Sequence, residues 1–207
     1  FSDNGGSVDI ISGGSLSLTK SSGSIKFGTS TTVGGSGDVT LATGESSLVS
    51  GTMTIKTGDG QNAGSLNLLA GNSLSGDGTG VSIMGGASNA ENGGVVSLVS
   101  GDGMNGGNVQ IRSGIGLQNV GGSVFVSASD GRSSGGDVDI TSGSSSVGHS
   151  GEVGIHGADS TAPTGEAGKV VIGGGHGVGS NGGDVVIGSG EGIVSSGVAR
   201  FGTGAAG

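Results

Sequence analysis

Six residues carrying oxygen donors, Glu45, Asn72, Asp102, Asp130, Asp159 and Glu191, recur at near-regular intervals along the chain. Each stands at the same place in a local pattern, four residues after the second apolar residue of a short β-like phrase. A column of such groups is a candidate cation site, because Ca²⁺ takes six to eight hard oxygen ligands. Calcium-loaded rolls are built on a nine-residue Gly-Gly-x-Gly-x-Asp-x-apolar-x repeat. This chain has a longer unit and offers one acid or amide at each place. The plainer reading is turn chemistry, since Asp and Asn bond their own backbone, as expected at Asp102-Gly103 and Asp130-Gly131. No cofactor is required by the sequence, and calcium is the one ion the column would suit.

Nothing else amounts to catalysis. His149 and His156 flank Glu152, but the spacing is not that of the helical zinc motif. His176 lies in a Gly-rich loop. Residues 101–106 match Gly-x-Gly-x-x-Gly and residues 131–135 match the hydrolase elbow, yet neither opens a helix, and 54 glycines produce such matches freely. The expectation is a protein that is not an enzyme. A second charged set, Lys26, Lys56, Arg112, Lys169 and Arg200, falls in or beside the intervening phrases, where the equivalent place is acidic only at Asp59. Opposite charges segregated in this way would suit packing between copies.

Composition excludes several partners. The 207 residues carry a formal charge of −9, with only seven Lys and Arg, so nucleic acid lacks the cationic face it needs. No apolar run approaches the roughly 18 residues of a membrane span. Gly every third residue with abundant Pro, as in collagen, is absent: there are 54 Gly and one Pro. Four Phe and no Tyr or Trp leave no aromatic platform for polysaccharide, and outward positions show no Thr ladder for an ice face. Zero Cys selects neither a cytosolic nor an extracellular setting. There is no Asn-x-Ser/Thr sequon, while the Ser/Thr loops offer sites for O-glycans. The chain starts at Phe1 without Met, which reads as a processed protein or a piece of something longer.

The element that positions these groups is a repeat. An apolar residue, any residue, a second apolar residue, any residue, a small residue and then Gly recurs, with first apolar positions at 25, 39, 53, 66, 81, 96, 109, 124, 138, 153, 170, 185 and 199. The interval is nearly constant, and its longest instance, 153 to 170, holds Pro163. Residues i and i+2 share a face of a strand, so pairs such as Val96/Leu98 and Val185/Ile187 should point inward together. The small residue after them would taper a core, and the Gly after that would take positive φ at a turn. Helix is excluded by the lack of any 3.6-residue period.

One such unit cannot bury its apolar face alone, and stacked units would. The alternation of acidic and basic phrases predicts two strands per coil of about 28–30 residues. The expected fold is thus all-β, a parallel β-solenoid (β-helix) with a flattened two-sheet cross-section, six to seven coils and roughly 30 Å of length. Residues 1–24 break the rhythm, with Val8/Ile10 and Leu16/Leu18 crowded before Ile25, and read as a cap or docking strands; residues 25–207 form one continuous domain. Residues 22–29 and 196–203, near the two ends of the chain, share a small-apolar-basic-Phe-Gly-Thr phrase, which suits a segment of a tandem array.

Gly135-Gly136-Asp137-Val138-Asp139-Ile140 and Gly182-Gly183-Asp184-Val185-Val186-Ile187 carry a resemblance to the Gly-rich β-solenoids of long bacterial and algal surface proteins, fibres and adhesin stalks. The resemblance implies an extracellular or cell-surface structural role and transfers no site residues. The expected partner is a second copy of the chain. Open solenoid ends would stack into a filament, Val8, Ile10, Leu16 and Leu18 mating with the Ala199–Phe201 coil. The rival expectation is a calcium-dependent adhesin or ligand-binding module displaying the acidic edge.

Overall fold

A computed structural model of the chain describes residues 5–17 and 19–203. It divides into two units, Phe1–Ser97 and Leu98–Gly207. Among the described residues there is neither helix nor paired strand. This overturns the expected all-β parallel β-solenoid, its two-strand coils and its flattened pair of sheets, and with them the likeness to solenoid surface proteins. A two-strand coil demands backbone bonds between phrases a full coil apart. Among the described residues the backbone hydrogen bonds reach no farther than from Gly23 to Gly13 and from Gly168 to Ala158, within a single phrase-to-phrase step. Among the described residues no coil forms on which the expected end-to-end stacking of coils could rest.

What the repeat builds instead is a series of clasped loops. Two residues before the first apolar residue of a phrase stands a Gly in nearly every repeat. Except at Gly37, Gly51 and Gly64, its amide donates to the carbonyl that ends the preceding phrase. In the unit Leu98–Gly207 every loop is closed in this way: Gly107 to Gly101, Gly122 to Gly114, Gly136 to Ser129, Gly151 to Gly143, Gly168 to Ala158, Gly183 to Gly175 and Gly197 to Gly190, at 2.8–3.0 Å. Ser129 and Ala158 serve as well as glycine, because the acceptor is a backbone carbonyl. In the unit Phe1–Ser97 the same link joins Gly94 to Gly86 and, in the compressed N-terminal segment, Gly23 to Gly13. The Val8/Ile10 phrase therefore closes its loop in the same register as the later ones, with Leu16 inside the loop.

These clasps explain the small residues. Where the fifth residue of a phrase is Gly85, Gly157 or Gly174, an added Cβ would run into the carbonyl oxygen of Gly94, Gly168 or Gly183 respectively. The position is small because the start of the next phrase crosses against it, and not because a core tapers. The clasp glycines are hemmed in from the other side: a Cβ on Gly168 would stand 2.8 Å from the Ala158 amide nitrogen, and one on Gly94 3.0 Å from that of Gly86. The glycines that end the phrases do not use the left-handed region. Gly179, at φ 76°, is the one described residue with positive φ, and it lies in mid-loop.

Direction changes inside the loops. The chain bends at 33–34, 47–48, 60–62, 74–76, 89–91, 103–105, 117–119, 132–133, 146–148, 162–164, 178–180 and 193–194, at nearly the same remove from each first apolar residue. The long loop after Val153 holds a tight turn, with Pro163 in its second place and Gly165 donating to Ala162 at 3.2 Å.

No core sits beneath these loops. Among the described residues none is buried, polar or apolar. The chain exposes 20950 Å², whereas a compact monomer of its 19.1 kDa would expose about 8,400 Å². The two-residue alternation nevertheless survives as graded exposure: Val185, Val186 and Ile187 are 48%, 90% and 60% exposed.

Candidate functional site

The acidic column occupies one structural place. Glu45, Asn72, Asp102, Asp130, Asp159 and Glu191 each follow directly on the carbonyl that ends a phrase, and all six are exposed. For Asp102, Asp130, Asp159 and Glu191 that carbonyl, of Gly101, Ser129, Ala158 or Gly190, is a clasp acceptor. With no coils to stack them, they stand one to a loop. Among the described residues, no three His, Cys, Asp or Glu side chains gather where they could hold a metal ion. That includes His149, Glu152 and His156. The His156 ring instead lies beside Gly154, whose Cβ would come 2.9 Å from Nε2.

The loop turns are made by the next residue along, a position the sequence reading passed over. It is Ser, Thr or Gly in every loop between Thr32 and Gly192. Where it carries a hydroxyl, at every such place but Ser160, the oxygen accepts backbone amides two or three residues on. Thr32 accepts from Gly34 at 3.3 Å, Ser46 from Leu48 at 3.2 Å, and Ser73 from Gly76 at 3.0 Å. Ser88 takes the amides of Ala90 and Glu91, and Ser145 those of Val147 and Gly148. Where it is Gly, the loop is tighter. A Cβ on Gly116 would meet the Val120 carbonyl, and one on Gly131 the Ser134 carbonyl. The signal was present as a strict Ser/Thr/Gly choice beside the more conspicuous acids.

The two nucleotide-like and hydrolase-like motifs are loops of these kinds. Residues 101–106 sit inside the Gly107–Gly101 clasp with a bend at 103–105, and residues 131–135 sit inside the Gly136–Ser129 clasp. Neither leads into a helix, so neither builds a phosphate cradle or an exposed nucleophile. The sequence-predicted assembly residues Val8, Ile10, Leu16 and Phe201 are exposed, as is Ala199, and Leu18 lies outside the described residues. Lys26, Lys56, Arg112, Lys169 and Arg200 are exposed too. No helix among the described residues is long and apolar enough to cross a membrane. A shallow hollow lined by Thr29, Ser30, Thr31, Thr32, Gly34 and Ser36 is open and has no charged side chain in its lining.

What the arrangement presents most consistently is apolar. From Ile25 to Val185 each phrase shows a rung of two large apolar side chains, the first the better covered. Ile25 and Val153 are the most sheltered of these first residues at 45% exposed, against 109% for Val33 in a loop. No family model, curated protein or solved structure matches this chain.

Proposed function

We propose that the chain is a structural, non-catalytic protein that associates with copies of itself, as a subunit or segment of a filament or surface appendage. One observation carries this reading: the apolar rungs recur at a near-constant interval, and every one of them is exposed. Monomeric proteins rarely leave contiguous apolar surface beyond a few hundred Å² uncovered. A rung that repeats at a fixed interval best matches a surface with the same interval, and a second copy supplies that surface. Fully burying one Val or Ile contributes about 1.5–3 kcal/mol, so a few rungs suffice to drive association. An extracellular or cell-surface setting belongs to the same proposal, and labelling of intact cells with an antibody tests it.

The deciding experiment is electron microscopy with sedimentation of the purified protein, with and without EDTA. Assemblies unchanged by EDTA are expected, together with their loss in a variant carrying Val138→Asp and Ile140→Asp. Single chains at all concentrations would overturn the proposal. Association that requires calcium would replace it with a metal-dependent module.

A further inference from the structure

The three Asn-Gly pairs among the described residues fall at one structural place. Asn92-Gly93, Asn105-Gly106 and Asn181-Gly182 each precede a clasp glycine directly: Gly94, Gly107 and Gly183. All three asparagines are exposed. The clasp bond is made by the amide one residue farther on, so the amides of Gly93, Gly106 and Gly182 make none of the loop-closing bonds. We infer that Asn92, Asn105 and Asn181 are self-modification sites, at which the chain slowly turns asparagine into aspartate and isoaspartate beside its own clasps.

The step needs water and nothing else. The backbone nitrogen of the following Gly, having given its proton to solvent, attacks Cγ of the asparagine. A C–N bond forms, the Cγ–Nδ2 bond breaks, and Nδ2 leaves with protons as ammonia. The five-membered imide is then opened by water at either carbonyl, and one opening gives aspartate. The other moves the chain onto the side-chain carbon and gives isoaspartate, with one extra carbon in the main chain. A following Gly favours the attack because no Cβ crowds the nitrogen and its backbone is the least restricted. Each conversion adds one negative charge to a chain that already carries −9. Isoaspartate also lengthens the path into Gly94, Gly107 or Gly183, and the clasp amide then misses its carbonyl. The sites thus couple the age of the molecule to the closure of its loops.

Peptide mapping of the purified protein during incubation at mildly alkaline pH tests this, using fragmentation that separates aspartate from isoaspartate. Asn62, Asn67, Asn89, Asn108 and Asn119, followed by Ala, Leu or Val, are internal controls in the same loops and phrases. Conversion at Asn92, Asn105 and Asn181 several-fold faster than at these controls is expected, with isoaspartate among the products and faster exchange of the Gly94, Gly107 and Gly183 amides. A second arm uses Gly106→Ala, because a Cβ there meets nothing within 4 Å and the loop is left undisturbed. It should slow conversion at Asn105 and leave Asn92 and Asn181 unchanged. Equal rates at all asparagines, or no slowing in G106A, would overturn the inference.

Discussion

At Thr29, Thr43 and Thr57 the methyl Cγ2 stands 3.6–3.9 Å from where the facing Gly37, Gly51 or Gly64 would carry a Cβ. Each of these phrases ends in a β-branched small residue, and the loops that follow lack the backbone clasp. Ser, Ala or Gly at the same place allows it, as at Ser100, Ala128 and Gly157. The phrase ending in Ala70 is the instructive exception. Its partner position is Thr79 instead of Gly, and the Thr79 hydroxyl reaches the Gly71 carbonyl at 3.1 Å in place of an amide. A β-branched side chain has one more heavy atom on Cβ and little freedom to move it aside. Thr43→Ser should therefore let Gly51 donate to Gly44. The gain is at most about 1 kcal/mol, since the bond is solvated on both sides. Amide exchange of Gly51 in T43S should slow by up to roughly fivefold, with Gly64 unchanged as the reference. An unaltered rate would show that the methyl is not what holds the loop open.

Phrase and loop differ in how much of their structure the chain settles by itself. The loop is local: its clasp, its bend and its hydroxyl cap are all made between one phrase and the next, and the residue types that make them recur in the sequence. The spacing, the small fifth residue and the Gly-Gly entries were legible there. The Ser/Thr/Gly choice after the acidic residue was equally visible, and its role follows from ordinary turn chemistry. The phrase is not local. An alternation of period two fixes which side chains share a face, but it does not name the strand that pairs with that face. Reading Val96 and Leu98 as inward was right about their kinship and wrong about an interior. For the same reason, spacing alone could not show that the six acidic or amide residues stand one to a loop instead of in a stack. The consequence is measurable by hydrogen exchange. In dilute protein the amides within the phrases, such as Ser97 and Gln110, should exchange at nearly unprotected rates, while clasp amides such as Gly107 and Gly122 lag behind them. On association the phrase amides should gain more protection than the clasp amides. Protected phrases in the dilute protein would mean that the chain pairs them internally.

For the molecule as a whole, the balance is between apolar surface that favours contact and charge that opposes it. With 16 acidic and seven basic residues the chain carries −9 at neutral pH, and copies approaching one another repel. Added salt shortens the range of that repulsion from about 10 Å at 0.1 M to about 3 Å at 1 M, while leaving the apolar rungs intact. Acid acts in the same direction by removing charge, and the sequence pI of about 4.4 marks where net charge vanishes. Association measured by sedimentation or light scattering should thus be weakest near neutral pH in low salt. It should strengthen with salt at pH 7, strengthen as pH falls toward 4.4, and lose most of its salt dependence there. The sign separates two kinds of contact. If copies met through the acidic loops and the basic set Lys26, Lys56, Arg112, Lys169 and Arg200, added salt would dissolve the assemblies, because screened opposite charges attract less. Strengthening by salt and by acid together is the behaviour of apolar rungs held apart by like charge. It would place the contact on the phrases and leave the loops facing water.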